Sequence, residues 1–325
     1  MLARLFAWFE PFVGALLATV LLASLLPPRG TWVPVFDVAA NAAIVLLFFL
    51  HGAKLSREAL LAGARNWRLH LAVMVAVFVL FPLFGLAVSS LPFVAAPIAA
   101  GLLFLTLLPS TVQSSIAFTS IAGGNVAAAV CSASFSNMAG IFVTPALVAL
   151  LMANMVGGQG GVSMEAIETI LLQLLVPFAA GHMLRPWIGA FVARNRRMIG
   201  LVDRGSILLV VYTAFGAAVV AGLWQQLSAS DLGILILICL VLLAVVLMVN
   251  WGLGRALGFP REDAIVLLFC GSKKSLATGV PMAGVLFAPA QVGMILLPVM
   301  IFHQVQLIAC AMIARHYAAQ AGPEE

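Results

Sequence analysis

Long apolar runs separated by short polar breaks occupy the chain from residue 11 to residue 315. Crossing roughly 30 Å of hydrocarbon takes about 17–25 helical residues, and each run is of that order. A backbone in lipid must close its own hydrogen bonds, so the runs predict transmembrane helices and exclude alternating barrel strands. Ten spans are expected, at 11–27, 34–53, 67–89, 94–122, 125–152, 165–184, 202–224, 231–254, 261–287 and 289–315. Arg4 ahead of the first run has the form of a secretion signal, but no small-residue cleavage site follows, and the run is kept as a span. The longest connection, 185–201, is basic and amphipathic and is expected to lie along the cytoplasmic interface.

The stretch "NMVGGQGGVSM", 154–164, is the most linker-like and leaves five spans on each side. The expected units are 1–155, 163–317 and a tail, 318–325. An odd number of crossings starts the second half on the opposite face, so related halves form an inverted repeat, as in many secondary transporters. One short match fits that plan. "QSSIA" at 113–117 aligns with "KKSLA" at 273–277, midway along the fourth span of each half. Both places read as helix breaks. "LLPSTVQSS", 107–115, follows Pro109 with polar residues interrupted only by Val112, and "CGSKKS", 270–275, has Gly271 before its polar run. Non-helical backbone at membrane depth is tolerated only where it lines protein or water, and matched breaks in two halves point to a binding site. The plainer reading is that these serines and threonines only pack helices together.

Composition agrees with the pattern. Of the 325 residues 64% are hydrophobic and 8% charged, and the mean hydropathy is +1.17, too little charge to cover a soluble surface. The net charge of +5 is not spread like a nucleic-acid surface. With the N-terminus in the cytoplasm, 13 of the 16 Lys and Arg fall inside, only Arg29 falls outside, and Lys273 and Lys274 lie within a span. That is the positive-inside signature of a multi-pass protein of the cell (plasma or inner) membrane, with both termini cytoplasmic. Cys131, Cys239, Cys270 and Cys310 all fall within spans without metal-ligand spacing and read as small packing residues.

The two lysines carry the candidate chemistry. Lys273 lies ten residues beyond Asp263, where span 9 enters from the cytoplasm; at 1.5 Å per residue it is about 15 Å deep, near the mid-plane. Each cation there costs at least ~2.5–3.5 kcal/mol on insertion scales. No Asp or Glu lies deep in any span to offset this. The candidate partners are neutral: Thr111, Gln113, Ser114 and Ser115 at the facing break, Ser132, Ser134, Ser136 and Asn137 of span 5, Ser272 and Ser275 beside the lysines, and His303 with Gln304 of span 10. Freed carbonyls at helix ends favour a cation as well, and a mobile anionic solute is a further counter-charge. The lysines are therefore expected to face a polar cavity. Asn41 in span 2 either packs helices or faces the same cavity, and His303 reads as an interhelical hydrogen bonder or a proton carrier.

The ten-span plan resembles the bile acid:sodium symporter superfamily. The segments "FFLHGAKLS", 48–56, and "GSKKSLATGVPMA", 271–283, are similar to its divergent SBF-like branch, related to solute carrier family 10. The resemblance implies a panel of spans 1, 2, 6 and 7 beside a core of spans 3–5 and 8–10. Spans 4 and 9 would be unwound and cross near the membrane centre. Members of the superfamily carry acidic and amide sodium ligands at the break in span 9, where this chain has Lys273 and Lys274. A fixed ammonium there would stand in for a bound sodium ion and leave Ser114, Ser115, Ser134, Ser136 and Asn137 as the remnant of a sodium site. Sodium coupling is thereby in question, and no cofactor is expected.

The leading reading is a secondary active transporter of a small organic anion, working by alternating access. Two others stand beside it. An intramembrane hydrolase would use Ser272 with Lys273, or a serine with His303, but no G-x-S-x-G or metal motif accompanies them. A non-transporting regulator of ion homeostasis would act through partners, yet the loops are short and nothing resembles a partner domain. The partners expected are the bilayer and a small solute, without nucleic acid.

Overall fold

The computed structural model describes residues 11–54, 66–153 and 171–320. The expected linker at 154–164, the first residues of span 6, the end of the tail, and Arg4, Glu10, Arg57, Arg65, Glu165 and Glu168 lie outside the described residues. Among the described residues the regular elements are all helical: α1 (Pro11–Leu25), α2 (Trp32–Lys54), α3 (Trp67–Ser89), α4 (Ala96–Leu107), α5 (Gln113–Ile121), α6 (Val126–Leu151), α7 (Val176–Arg194), α8 (Arg196–Val220), α9 (Ala229–Ala256), α10 (Arg261–Gly271), α11 (Leu276–Leu286) and α12 (Pro289–Gln320). Six of them, α2, α3, α6, α8, α9 and α12, are long and apolar enough to cross a bilayer. The protein is an all-α polytopic membrane protein.

The basic stretch 185–201 is helical on both sides of one residue. It is divided between the end of α7 and the start of α8, with Asn195 alone between them. Asn195 turns the chain at φ −105°, ψ 34°, its side-chain amide donating to the Phe191 carbonyl at 2.9 Å. The Asn195 backbone N–H donates to the same carbonyl at 3.0 Å, so one asparagine closes α7 with both its donors and tolerates the turn into α8.

The two helix breaks expected within spans 4 and 9 are present. Leu108 is extended at φ −72°, ψ 154°, because the residue before a proline is driven out of the helical region, and α5 resumes only at Gln113. In the same way α10 ends at Gly271 and α11 starts at Leu276.

The chain falls into two compact units. One comprises Met1–Leu55, Val156–Ser228 and Val280–Leu296 and holds α1, α2, α7 and α8. Its closest backbone approach is reciprocal. A Cβ on Gly52 of α2 would strike the Phe178 carbonyl of α7, and one on Gly181 of α7 would strike the Phe49 carbonyl of α2. Helices in lipid gain contact area by such small-residue crossings, since no hydrophobic force distinguishes them from lipid tails. Lys54 pairs with Asp203 across α2 and α8, and the Tyr212 hydroxyl donates to the Leu26 carbonyl at 2.7 Å.

The other unit comprises Ser56–Met155, Ala229–Gly279 and Leu297–Glu325. Its core interleaves Leu69, Val73 and Val77 of α3 with Ala129 and Ala133 of α6 and Val266 and Leu267 of α10. Asp263, in the first turn of α10, accepts from the side-chain amides of Asn66 at 2.6 Å and Asn125 at 2.9 Å. Asn125 also caps α6, its side-chain oxygen accepting from Ala128 N–H at 3.0 Å. One carboxylate thus ties the N-termini of α3, α6 and α10 together.

Within α3, residues Ala76–Leu80 widen into a π turn in which Phe81 N–H donates to the Ala76 carbonyl. In that spacing the next donor, for the Val77 carbonyl, belongs to residue 82. That residue is Pro82, which has no N–H, so Val77 is left without a helical partner.

Two substitutions follow from these contacts. Gly52→Ala or Gly181→Ala drives a methyl into a backbone carbonyl that cannot swing away, and each is expected to cost about 1–3 kcal/mol as overpacking, read as a fall in melting temperature in detergent. Asp263→Ala strands two asparagine amides at a buried junction and is expected to cost about 1–3 kcal/mol; an unchanged melting curve would show that the three helix ends are held by packing alone.

Candidate functional site

The two interrupted regions meet in the second unit. Ser275 N–H donates to the Pro109 carbonyl at 2.9 Å, Ser110 Oγ to the Cys270 carbonyl at 2.6 Å, and Ser115 Oγ to the Phe269 carbonyl at 3.3 Å. Each break thus supplies the partners that the other lacks. Two further helices complete the network. From α6, Ser136 Oγ accepts from Ser110 N–H at 3.0 Å, and Asn137 donates to the Ser110 carbonyl at 2.6 Å while its oxygen accepts from Thr278 at 2.8 Å. From α12, Gln306 takes both backbone groups of Lys274, accepting its N–H at 2.9 Å and donating to its carbonyl at 3.0 Å. The Gln306 amide also lies 3.0 Å from His303 Nδ1. Gly140 of α6 lets Pro109 approach, since a Cβ there would stand 2.7 Å from the proline ring.

Both lysines are enclosed, Lys273 with 0% and Lys274 with 1% exposure, so neither faces an open cavity as expected from the sequence. Their surroundings differ. Lys274 Nζ donates to the Leu108 carbonyl at 2.6 Å and the Val77 carbonyl at 2.8 Å, with its charge 4.3 Å from the centre of the Phe81 ring. Leu108 ends α4 with an unpaired carbonyl and Val77 lost its donor to Pro82, so one ammonium closes two backbone deficits. Lys273 Nζ has a single, long hydrogen bond of 3.4 Å to Ser114 Oγ, and lies 4.4 Å from the Phe118 ring and 5.6 Å from the Phe269 ring.

The other sequence candidates divide. Thr111, Ser114 and Ser115 form a hydroxyl chain, with Ser114 Oγ donating to Thr111 Oγ1 at 3.0 Å and Thr111 Oγ1 lying 3.1 Å from Ser115 Oγ. Ser272 belongs to the network but not as a nucleophile. Its hydroxyl donates to the Leu268 carbonyl at 2.5 Å and accepts from Asn250 at 3.0 Å, with no bond to Lys273. Ser134 is half-buried on α6, outside the network, and Gln113 is exposed at the start of α5. Asn41 is exposed on α2 and belongs to the other unit. Gln304 keeps both amide atoms buried with no partner among the described residues. Ser132 instead lies 2.8 Å from His70 Nδ1. No group of three His, Cys, Asp or Glu among the described residues is placed to hold a metal.

Sequence reasoning missed Gln306, Asn250, Ser110, Thr278 and the phenylalanines around the ammonium groups. Gln306 carried a signal: it is an amide one turn from His303 in an apolar helix. The role of Val77 carried none, because a carbonyl's partner is visible only once Pro82 is known to follow a π turn.

Comparison with known proteins places the chain among transporters. The model of the SBF-like CPA transporter family matches residues 10–319. The protein named "Putative symporter YfeH" of Escherichia coli is 53% identical over 319 residues, covering 98% of this chain and 95% of that one. "Uncharacterized protein PA2026" of Pseudomonas aeruginosa is 56% identical over 311 residues, 95% of this chain and 93% of that one. "Sodium/bile acid cotransporter 7" of Rattus norvegicus is 28% identical over 273 residues, 82% of this chain and 79% of that one. A match over nearly the whole chain, with helix breaks crossing in its second unit, makes this protein a member of the SBF-like CPA transporter family, a family of transporters and not of enzymes.

Proposed function

We propose that the chain is a secondary transporter that moves a small organic anion across the cell membrane by alternating access. The observation that carries this reading is the crossing of two interrupted helices around two buried lysines. Uninterrupted helices serve a structural bundle equally well, and breaks at membrane depth persist where backbone lines a transport path. The names of the relatives, symporter and cotransporter, point the same way.

The architecture proposed is an inverted repeat of two five-helix halves, with a panel of spans 1, 2, 6 and 7, a core of spans 3–5 and 8–10, and both termini in the cytoplasm. The gathering of α1, α2, α7 and α8 into one compact unit and of α3–α6 with α9 and α10 into another supports the panel and core. Solute contacts fall to Lys273 together with Gln304, whose amide finds no partner among the described residues.

Sodium is not part of the proposed cycle. An ammonium already occupies the carbonyls at the crossing, and the oxygens of Ser115, Ser136 and Asn137 are engaged in hydrogen bonds to the breaks. Melting of the purified protein is therefore expected to be the same in sodium, potassium and N-methylglucamine chlorides at equal ionic strength. Stabilisation by sodium alone, the mark of a ligand that binds only the native state, would return sodium to the cycle. The transport reading has its own test. In liposomes containing only this protein, wild type is expected to take up at least one member of a panel of radiolabelled small organic anions. Lys273→Met is expected to keep its fold and fall to the background of empty liposomes; full uptake by that variant would refute the role given to the lysine.

A further inference from the structure

Two adjacent lysines at one helix break have unequal surroundings, and the inequality assigns them different work. We propose that Lys274 is a fixed cation committed to the backbone, and that Lys273 carries the exchangeable proton of the cycle, so that the solute anion travels with a proton. This rests on the transporter reading above and names its coupling ion.

Lys274 is held on every side. Two of its three N–H donors meet carbonyls that have no backbone donor, at 2.6 and 2.8 Å, and its charge faces the rings of Phe81 and Phe78. Its own N–H and carbonyl are clamped by Gln306. Each of these contacts favours the ammonium: the carbonyl oxygens are better acceptors from a charged donor, and the ring faces attract a cation.

Lys273 has no comparable hold. Its one hydrogen bond is long, 3.4 Å, and goes to a hydroxyl already engaged with Thr111. The titratable groups near it are Cys270 of α10 and Cys310 and His303 of α12, with Lys274 of like sign next in the chain. From α5 it meets Ser114 and Phe118. The ion pair of Lys54 with Asp203 belongs to the other unit. A buried ammonium without an anion is costly, and the group sheds its proton or gains a counter-charge. An anion arriving beside Lys273 favours the ammonium form, and its departure favours the amine. Loading is then one balanced step: amine, proton and solute anion combine into an ion pair without net gain of charge, and no covalent bond to the solute forms.

The chain contains only three lysines, Lys54, Lys273 and Lys274, which makes the proposal directly readable. Protein carrying lysine enriched in carbon-13 at the ε position gives three side-chain signals. Lys54→Arg removes one, and Lys273→Met in that background assigns the remaining two. Across the pH range in which the fold is kept, the Lys273 signal is expected to move between its ammonium and amine positions while the Lys274 signal stays at the ammonium position. A Lys273 signal fixed at the ammonium position throughout overturns the proposal, and so does a Lys274 signal that moves with it.

The committed role of Lys274 is tested by Pro82→Ala, which restores an N–H able to serve Val77. Lys274→Met is expected to lower the melting temperature less in that background than in the wild type, and equal losses overturn the tether. These readings need no solute. A titrating Lys273 with no uptake of any anion would sink the transporter reading and leave the proton site standing. Uptake with a fixed Lys273 would do the reverse.

Discussion

Backbone carbonyls released inside the membrane must find donors, and the rest of the second unit is organised by that need. Interrupting α4 at Leu108 and α10 at Gly271 frees groups that water cannot reach, and Pro82 frees another on α3. The protein answers with side chains rather than solvent. Lys274 takes Leu108 and Val77, Asn137 takes Ser110, and Gln306 takes Lys274 itself. The breaks then serve each other, Ser275 with Pro109 and Ser110 with Cys270. Charge sits at this crossing because a neutral side chain offers fewer donors to a place with several acceptors. An asparagine has two amide protons; an ammonium has three and a field that carbonyl dipoles welcome.

Much of this was legible beforehand, for particular reasons. Apolar runs marked the helices because lipid leaves a spanning segment little alternative to a helix. Pro109 and the polar residues after it marked one break, and Gly271 with the lysines marked the other. The partners named from sequence included Ser114 and, in general terms, freed carbonyls, and both are found. What remained hidden was any contact set by backbone geometry. The π turn of α3 leaves no pattern in residue types, so Val77 stayed invisible. The division of 185–201 into two helices was hidden too, because a single asparagine is enough to part them in a stretch that is amphipathic throughout.

The lysines also correct a simpler picture of direction. On a continuous helix adjacent side chains diverge by about 100°. Lys273 and Lys274 lie instead between α10 and α11, outside either helix. Freed from helical spacing, the pair reaches separate neighbourhoods: Lys274 enters the one made by Phe78 and Phe81 of α3, and Lys273 the one made by Phe118 of α5 and Phe269 of α10. A break thus does two things at once. It creates unpaired backbone, and it lets neighbouring residues in sequence serve different walls of the same crossing.

That separation bears on why two lysines occur rather than one. A single cation that both sealed the backbone and met a mobile anion would have to leave its carbonyls whenever the anion arrived, stranding Val77 and Leu108 at each turnover at a cost of about 1–3 kcal/mol per unsatisfied group. Assigning the seal to Lys274 removes that conflict, because its acceptors are fixed parts of α3 and α4 that stay in place when solute binds. Lys273 is then free to change its charge state without loosening the crossing, since only a long bond to Ser114 and two ring faces depend on it. Ring faces tolerate both forms of an amine, attracting the cation and packing against the neutral group. The aromatic lining of Lys273 suits a side chain that changes charge, and the carbonyl lining of Lys274 suits one that never does.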